Sequence, residues 1–236
     1  MKKVILSGAS GGLGIEIATK LLKEGYFVYL LCNKNKAKLE ALVAQFPNAT
    51  QVYVIDFEQN PDFSALANSI RKVDAIVHAL GVSSAGMSWK IPSEEWNRVM
   101  NLNVTVPFQM SQAFIPQMRQ QNFGRIIFFS SIVAQKGFAG TSAYAASKSA
   151  LIGLSRTMAV ELANSGITVN CIAPGYMDKG MIEEVTGDFL ASILELIPSK
   201  KLGESSNIAH TVSFLLNENT NYITGQVINV NGGMGG

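Results

Sequence analysis

Charge is scarce in this chain of 236 residues: only 15% are Asp, Glu, Lys or Arg, against 47% hydrophobic residues. That balance excludes a disordered chain and allows a large buried core. Nineteen Lys and Arg against seventeen Asp and Glu leave a net charge of +2. With no long basic run, nucleic acid is not expected as a partner. Cysteine is limited to Cys32 and Cys171, far apart and each inside an apolar run, so buried free thiols of a reducing compartment are expected rather than a disulfide. Histidine is equally rare, with His78 and His210 alone, and no Cys or His is spaced to join His78 in a metal site. Long apolar runs are missing as well. Val4-Ile5-Leu6 is too short for a signal-peptide core, and nothing approaches the roughly 18 apolar residues of a bilayer span. A soluble, cytoplasmic protein is expected, with a weakly charged surface suited to subunit contacts.

What the chain does have is alternation. Short β-branched or apolar runs recur at 3–7, 27–32, 51–55, 74–79, 125–130, 167–172 and 226–230, most of them separated by stretches of helical periodicity. In the first such stretch Ile15, Ala18, Leu21 and Leu22 share one face and Gly25 follows as a stop. Around 142–164, Leu151, Leu154, Met158 and Leu162 repeat at helical spacing before Gly166. Nearly continuous apolar strands joined by amphipathic helices predict an α/β fold: one doubly wound, mostly parallel sheet of about seven strands with helices on both faces. A single domain over 1–236 is expected. The longest irregular stretches are 81–92 and 173–203, where loops at the strands' carboxyl ends would build a site.

Residues 5–14, Ile-Leu-Ser-Gly-Ala-Ser-Gly-Gly-Leu-Gly, fit two motifs. Gly8-Ala9-Ser10-Gly11-Gly12 is a G-x-S-x-G nucleophile elbow that would present Ser10 to an acyl substrate. Gly8, Gly12 and Gly14 are equally a turn from a strand into a helix whose free N–H groups face a dinucleotide pyrophosphate. The elbow reading needs an acid and then a His downstream, which only His210 could supply, and an oxyanion loop ahead of the strand, where the chain has nothing. Glycine spacing alone does not establish the other reading, since a tight turn with no ligand explains it too.

The discriminating segment is 131–148. Tyr144 and Lys148, four apart at the start of the 142–164 helix, share one face. Ser131 stands just past the 125–130 strand, at the sheet end where ligands bind. Taken singly, Ser131 reads as a strand-end cap and Tyr-x-x-x-Lys as a half-buried phenol beside a solvated lysine.

In combination these residues resemble the short-chain dehydrogenase/reductase family. Its motifs fall in order along nearly the whole chain: the glycine turn 8–14, Asp56 after the third strand, Asn103 in Asn-Leu-Asn-Val-Thr-Val-Pro-Phe, Ser131, Tyr144 and Lys148, Ala173-Pro174-Gly175, and 222–233. The resemblance implies hydride transfer between a nicotinamide and a carbonyl or alcohol, with Tyr144 as general acid or base. Lys148 would pull its pKa down from about 10. Ser131 would hold the substrate oxygen, and Asn103 a water linking Lys148 to solvent. Cofactor contacts would fall on Gly8, Ser10, Gly12, Leu13, Gly14, Asn33, Lys34, Asp56, Phe57, Gly81, Pro174 and Gly175, as well as on Tyr144 and Lys148.

The end of the second strand, Leu-Leu-Cys-Asn-Lys-Asn-Lys-Ala-Lys at 30–38, has no acid to bind a ribose diol. Lys34 or Lys36 could pair with a 2′-phosphate instead, so NADPH is the expected cofactor; the bland alternative is two solvated lysines. Within the family the chain is most similar to bacterial 3-oxoacyl-acyl carrier protein reductases. That likeness implies a β-keto thioester on an acidic carrier protein, for whose docking Arg119, Lys136, Lys179, Lys200 and Lys201 are candidates.

Three departures qualify the likeness. His78-Ala79-Leu80-Gly81 replaces Asn-Asn-Ala-Gly, Lys179 replaces a threonine, and Asn122 and Ser165 are neutral where arginines are common. A specialised acyl or polyketide pathway, another small carbonyl or alcohol substrate, or a low-activity partner subunit in a hetero-oligomer are the alternatives. A tetramer packed through 97–120 and 142–164 is implied by the family.

Overall fold

The structure, a computed structural model, describes residues 1–180, 182 and 186–235. Seven strands run as β1 (Lys3–Ser7), β2 (Phe27–Cys32), β3 (Thr50–Val54), β4 (Ala75–His78), β5 (Gly124–Phe129), β6 (Ile167–Pro174) and β7 (Val227–Val230). They form one wholly parallel sheet of order β3-β2-β1-β4-β5-β6-β7. The helices are α1 (Gly12–Lys23), α2 (Glu40–Gln45), α3 (Phe63–Ser69), α4 (Ser93–Met100), α5 (Val106–Gln120), α6 (Ser142–Leu162), α7 (Gly187–Leu196) and α8 (Ser205–Leu216). Alternate strand residues feed opposite cores, as a pleated strand buried on both faces requires. Ile5, Ile76, Ile126 and Phe128 pack with Met110, Phe114, Leu151 and Met158 of α5 and α6. Val4, Leu6, Val77 and Ile127 pack with Ile17, Leu21, Val212 and Leu216 of α1 and α8. A third, smaller apolar cluster of Ile132, Ile182, Ile193, Ile197 and Met234 sits at the carboxyl edge of β5–β7.

Strand order reverses between β1 and β4, where Ser7 pairs with His78. Crossovers leave in opposite directions from that point and open a crevice at the strands' carboxyl ends. Both cysteines are free and buried, and among the described residues no helix is long and apolar enough to cross a membrane.

Two sequence expectations change. The 173–203 stretch is not irregular throughout: β6 continues to Pro174 and α7 occupies Gly187–Leu196, while 181 and 183–185 lie outside the described residues. The 97–120 helix is not one α-helix but α4 and α5 joined by a π-helical turn, Asn101–Thr105. Pro107 explains the turn. It has no N–H to give the carbonyl of Asn103 four residues back, and its ring crowds that carbonyl, so the ladder widens and Val106 N–H bonds to the Asn101 carbonyl instead.

Candidate active site

The glycine turn is shaped by close approach. Gly8 has φ +70°, and a Cβ there would lie 2.8 Å from Leu80 N. A Cβ on Gly14 would lie 2.2 Å from the Gly8 carbonyl, so these two positions admit nothing larger. Ala9 N–H reaches the Leu31 carbonyl at 3.1 Å, tying the turn to β2. α1 then starts at Gly12 with no side-chain cap, leaving first-turn N–H groups free for an anion. Gly8, Ser10, Gly12, Leu13 and Gly14 therefore fit a pyrophosphate. The elbow reading lacks its base: among the described residues, neither His78, whose Nε2 lies 2.8 Å from Ser111 Oγ, nor the exposed His210 is bonded to Ser10.

Along the crevice, Asn33 Nδ2 and Asp56 Oδ1 meet at 3.5 Å, joining the ends of β2 and β3. Asp56 also accepts from Glu58 N–H at 3.1 Å. Phe57 sends its ring into the core, 2% exposed and stacked on Phe63, so only its main chain can serve a ligand. Lys34 and Lys36 are exposed, and among the described residues neither forms an ion pair. Pro174 and Gly175 close the far side. Gly175 N–H bonds to the Val230 carbonyl at 2.9 Å, and a Cβ on Gly175 would lie 2.8 Å from Asn231 Cα.

At the centre the sheet edge and α6 converge. Ser131 opens the 3-10 turn Ile132–Ala134 and accepts from Val133 N–H at 3.4 Å; its hydroxyl lies close enough to the Tyr144 phenol to act on its ionisation. Lys148, 3% exposed, places Nζ 2.7 Å from the Phe129 carbonyl and 5.6 Å from the Tyr144 ring centre. Ser130 Oγ donates to the Lys148 carbonyl at 2.9 Å, fastening the helix to β5. Asn103 is fully buried. Its amide donates to the Val82 carbonyl and to Ser147 Oγ at 2.8 and 2.9 Å, and its Oδ1 accepts from Val82 N–H at 2.9 Å. This side chain clamps the loop after β4, where a Cβ on Gly81 would lie 3.1 Å from Lys148 Nζ.

Burial pushes the Tyr144 phenol up, while the nearby Ser131 hydroxyl works in the opposite direction. This departs from the expected lowering by Lys148, because burial, which disfavours the phenolate, is the larger effect in the protein without nucleotide. Burial brings Lys148 itself down to about 8, so it is mostly charged at neutral pH. His78, with its pKa lowered to about 3 by burial, is a neutral core group stacked on Phe128. Ser111 Oγ donates to the Pro107 carbonyl, so His78 Nε2 is the donor to Ser111, and Nδ1 has no partner among the described residues. The change at 78 thus repacks the core beneath α5.

Sequence reasoning brought together Ser131, Tyr144, Lys148 and Asn103 but missed Ser130, Ser147 and the Phe129 carbonyl. It also misplaced Arg119, which lies in the last turn of α5; α5 runs from the site toward the start of β5, so this residue is at the opposite edge of the sheet.

A family model described as enoyl-(acyl carrier protein) reductase matches residues 8–235. The chain is 37% identical to the 3-oxoacyl-[acyl-carrier-protein] reductase FabG of Staphylococcus epidermidis, over 99% of this chain and 98% of that one. It is 32% identical to nodulation protein G of Rhizobium sp. (strain N33), over 99% and 96%. In three dimensions it is similar to ElxO with NADP bound, at a TM-score of 0.91 and 28% identity, covering 99% and 98% of the two chains. With the glycine turn, the Ser–Tyr–Lys constellation and these matches over its length, the chain belongs to the short-chain dehydrogenase/reductase family, the NAD(P)-dependent oxidoreductases that act on CH–OH and C=O groups.

Proposed function

We propose that the protein reduces the β-keto group of an acyl thioester, carried on an acyl carrier protein, to the 3-hydroxyacyl form with NADPH. The carrying observation is the Ser131–Tyr144 pair, brought together at the end of β5 and backed by buried Lys148, in a chain 37% identical to a 3-oxoacyl reductase throughout. NADPH is favoured by the free Lys34 and Lys36, by the absence of an acid at the end of β2, and by the NADP held by ElxO.

When bound, the nicotinamide supplies hydride to the carbonyl carbon. Ser131 holds the carbonyl oxygen in place, and Tyr144 gives that oxygen its proton. A phenol held protonated by burial is in the correct state to act as the acid. Lys148, charged at neutral pH, stabilises the phenolate left behind. The carbonyl of Asn103, to which Pro107 four residues on has no N–H to donate, is the acceptor for a water that returns the proton.

Lys136 and Lys179, beside the ends of β5 and β6, and Lys200 and Lys201, beside the end of β7, are exposed and form the basic rim for an acidic carrier. The exposed Phe108 (39%) and Val160 (82%) on α5 and α6 favour a second copy on that face, as a homo-tetramer or with a related subunit, which light scattering decides. The neutral core role of His78 removes one motive for reading the chain as an inactive partner.

Purified protein with NADPH should turn over acetoacetyl-carrier protein with kcat/KM at least about tenfold above that with NADH or with a free ketone, a difference of roughly 1.4 kcal/mol. Efficient turnover of a free ketone with no keto thioester accepted would sink the substrate assignment; crotonyl thioester as a further arm tests C=C reduction.

A further inference from the structure

We infer that the tail segment 231–235, through Met234, positions Ser131 for catalysis by bracing the turn on which that serine is presented. The inference rests on the proposed roles of Ser131 and Tyr144 but not on which carbonyl is reduced.

Ser131 stands at the head of a three-residue 3-10 turn, Ile132–Ala134, where its Oγ accepts a long hydrogen bond of 3.4 Å from Val133 N–H and its carbonyl accepts from Ala134 N–H at 3.0 Å, both bonds lying within the turn itself. Its position therefore depends on what stands behind the turn. Ile132, the next residue, is 3% exposed and packs in the small cluster with Met234, Ile193 and Ile197. The tail is drawn in by its backbone: a Cβ on Gly235 would lie 2.5 Å from Ile132 Cδ1 and 3.1 Å from Gln135 Oε1. Three polar contacts fix it there. Asn229 Nδ2 and Asn231 Nδ2 donate to the Gly235 carbonyl at 3.3 and 3.5 Å, and Gln135 Nε2, from just past the turn, donates to Asn229 Oδ1 at 2.8 Å. On the other side, Ser199 N–H bonds to the Gly232 carbonyl at 3.1 Å. The tail is thus wedged between the serine's turn and the segment after α7. Met234, 7% exposed, is the side chain that transmits the contact, and an unbranched thioether fills such an irregular gap well.

Small displacements of a positioning group have large kinetic effects. Met234→Ala is expected to lower kcat about tenfold or more, with KM for the carbonyl little changed and the Kd for NADPH, read by its fluorescence, within about twofold. Met234→Leu, which refills the space, should restore kcat to within about twofold. Leu66→Ala, in the core under α3 and remote from the site, controls for lost stability and should keep its kcat. A second readout needs no substrate. With 13C-labelled tyrosine, the Tyr144 phenol resonance, assigned through Tyr144→Phe, should titrate at higher pH in Met234→Ala than in wild type, because the Ser131 hydroxyl is less well placed to act on it. If wild type reduces no β-keto thioester but another carbonyl, the substrate reading fails while the Met234 series still tests the tail on that carbonyl. Unchanged kcat and unchanged Tyr144 titration in Met234→Ala overturn the inference, as does a fall in kcat matched by Leu66→Ala or by an equal loss of NADPH affinity.

Discussion

Two cations are buried at opposite ends of β5, and they are handled differently. Arg125, near the start of the strand and 2% exposed, points its guanidinium at four carbonyls, those of Gly124, Gly166, Asn217 and Glu218, at 2.8 to 3.4 Å. It also stacks over Phe123 at 4.4 Å. Burial lowers its pKa, yet a guanidinium starts so high that it stays charged. Lys148, at the other end of the strand, donates among the described residues to one acceptor, the Phe129 carbonyl, and burial takes it down to about 8. An under-solvated ammonium that can release its proton near neutral pH suits chemistry. A fully engaged guanidinium suits the joining of β5 to the loops before β6 and after α8.

The comparison is broken most sharply at the reactive end. Tyr144→Phe should lower kcat by about 10³-fold while leaving NADPH binding, read by fluorescence, nearly unchanged. At the structural end, Arg125→Met leaves several carbonyls without a donor and should lower stability by about 3 kcal/mol in urea unfolding, with activity kept while the protein is folded. The same substitution at Lys148 should have the opposite sign. Since the folded protein holds the Lys148 proton more weakly than the unfolded chain, stability rises as pH climbs from about 8 toward the ordinary 10.5. At pH 7, therefore, Lys148→Met should stabilise the protein without added nucleotide by about 1–2 kcal/mol after the loss of the Phe129 contact, while removing most activity. That gain should disappear above pH 10.5. Destabilisation at pH 7 would show that the Phe129 contact outweighs the burial of charge. The smallest effect is expected at Lys34→Ala, where NADPH should bind about fivefold more weakly and NADH unchanged, a difference of about 1 kcal/mol.

How much of this was readable from sequence differs by kind of partner. Strands β1 and β2 begin and end where the apolar runs do, and β3 is shifted by one residue, because a strand buried on both faces writes its length in β-branched and aliphatic residues. Tyr144 and Lys148 were legible because helical spacing alone puts them on one face. The Phe129 carbonyl was not, since every residue has a carbonyl and only the register of β5 against α6 selects one. Ser147 and Met234 stayed hidden for a similar reason: a small hydroxyl in a helix and a methionine in a glycine-rich tail carry no pattern until Asn103 or Ile132 is placed beside them. The π-helical turn could have been anticipated from Pro107 four residues after Asn103, a signal that the apolar periodicity masked.

The wide turn at Asn101–Thr105 also sets a rule for the length of the chain there. One extra residue advances the helix by about 100°, so the faces of α4 and α5 are out of step by design, and Met110, Phe114 and Met118 meet the sheet only because of it. A deletion of any one residue between Asn101 and Thr105 other than Asn103 would set Pro107 against a normal α-helical ladder, rotate the greasy side of α5 toward water and pull the Asn103 clamp off Val82. Around Asn103 the other residues of this stretch can drift, but its residue count cannot.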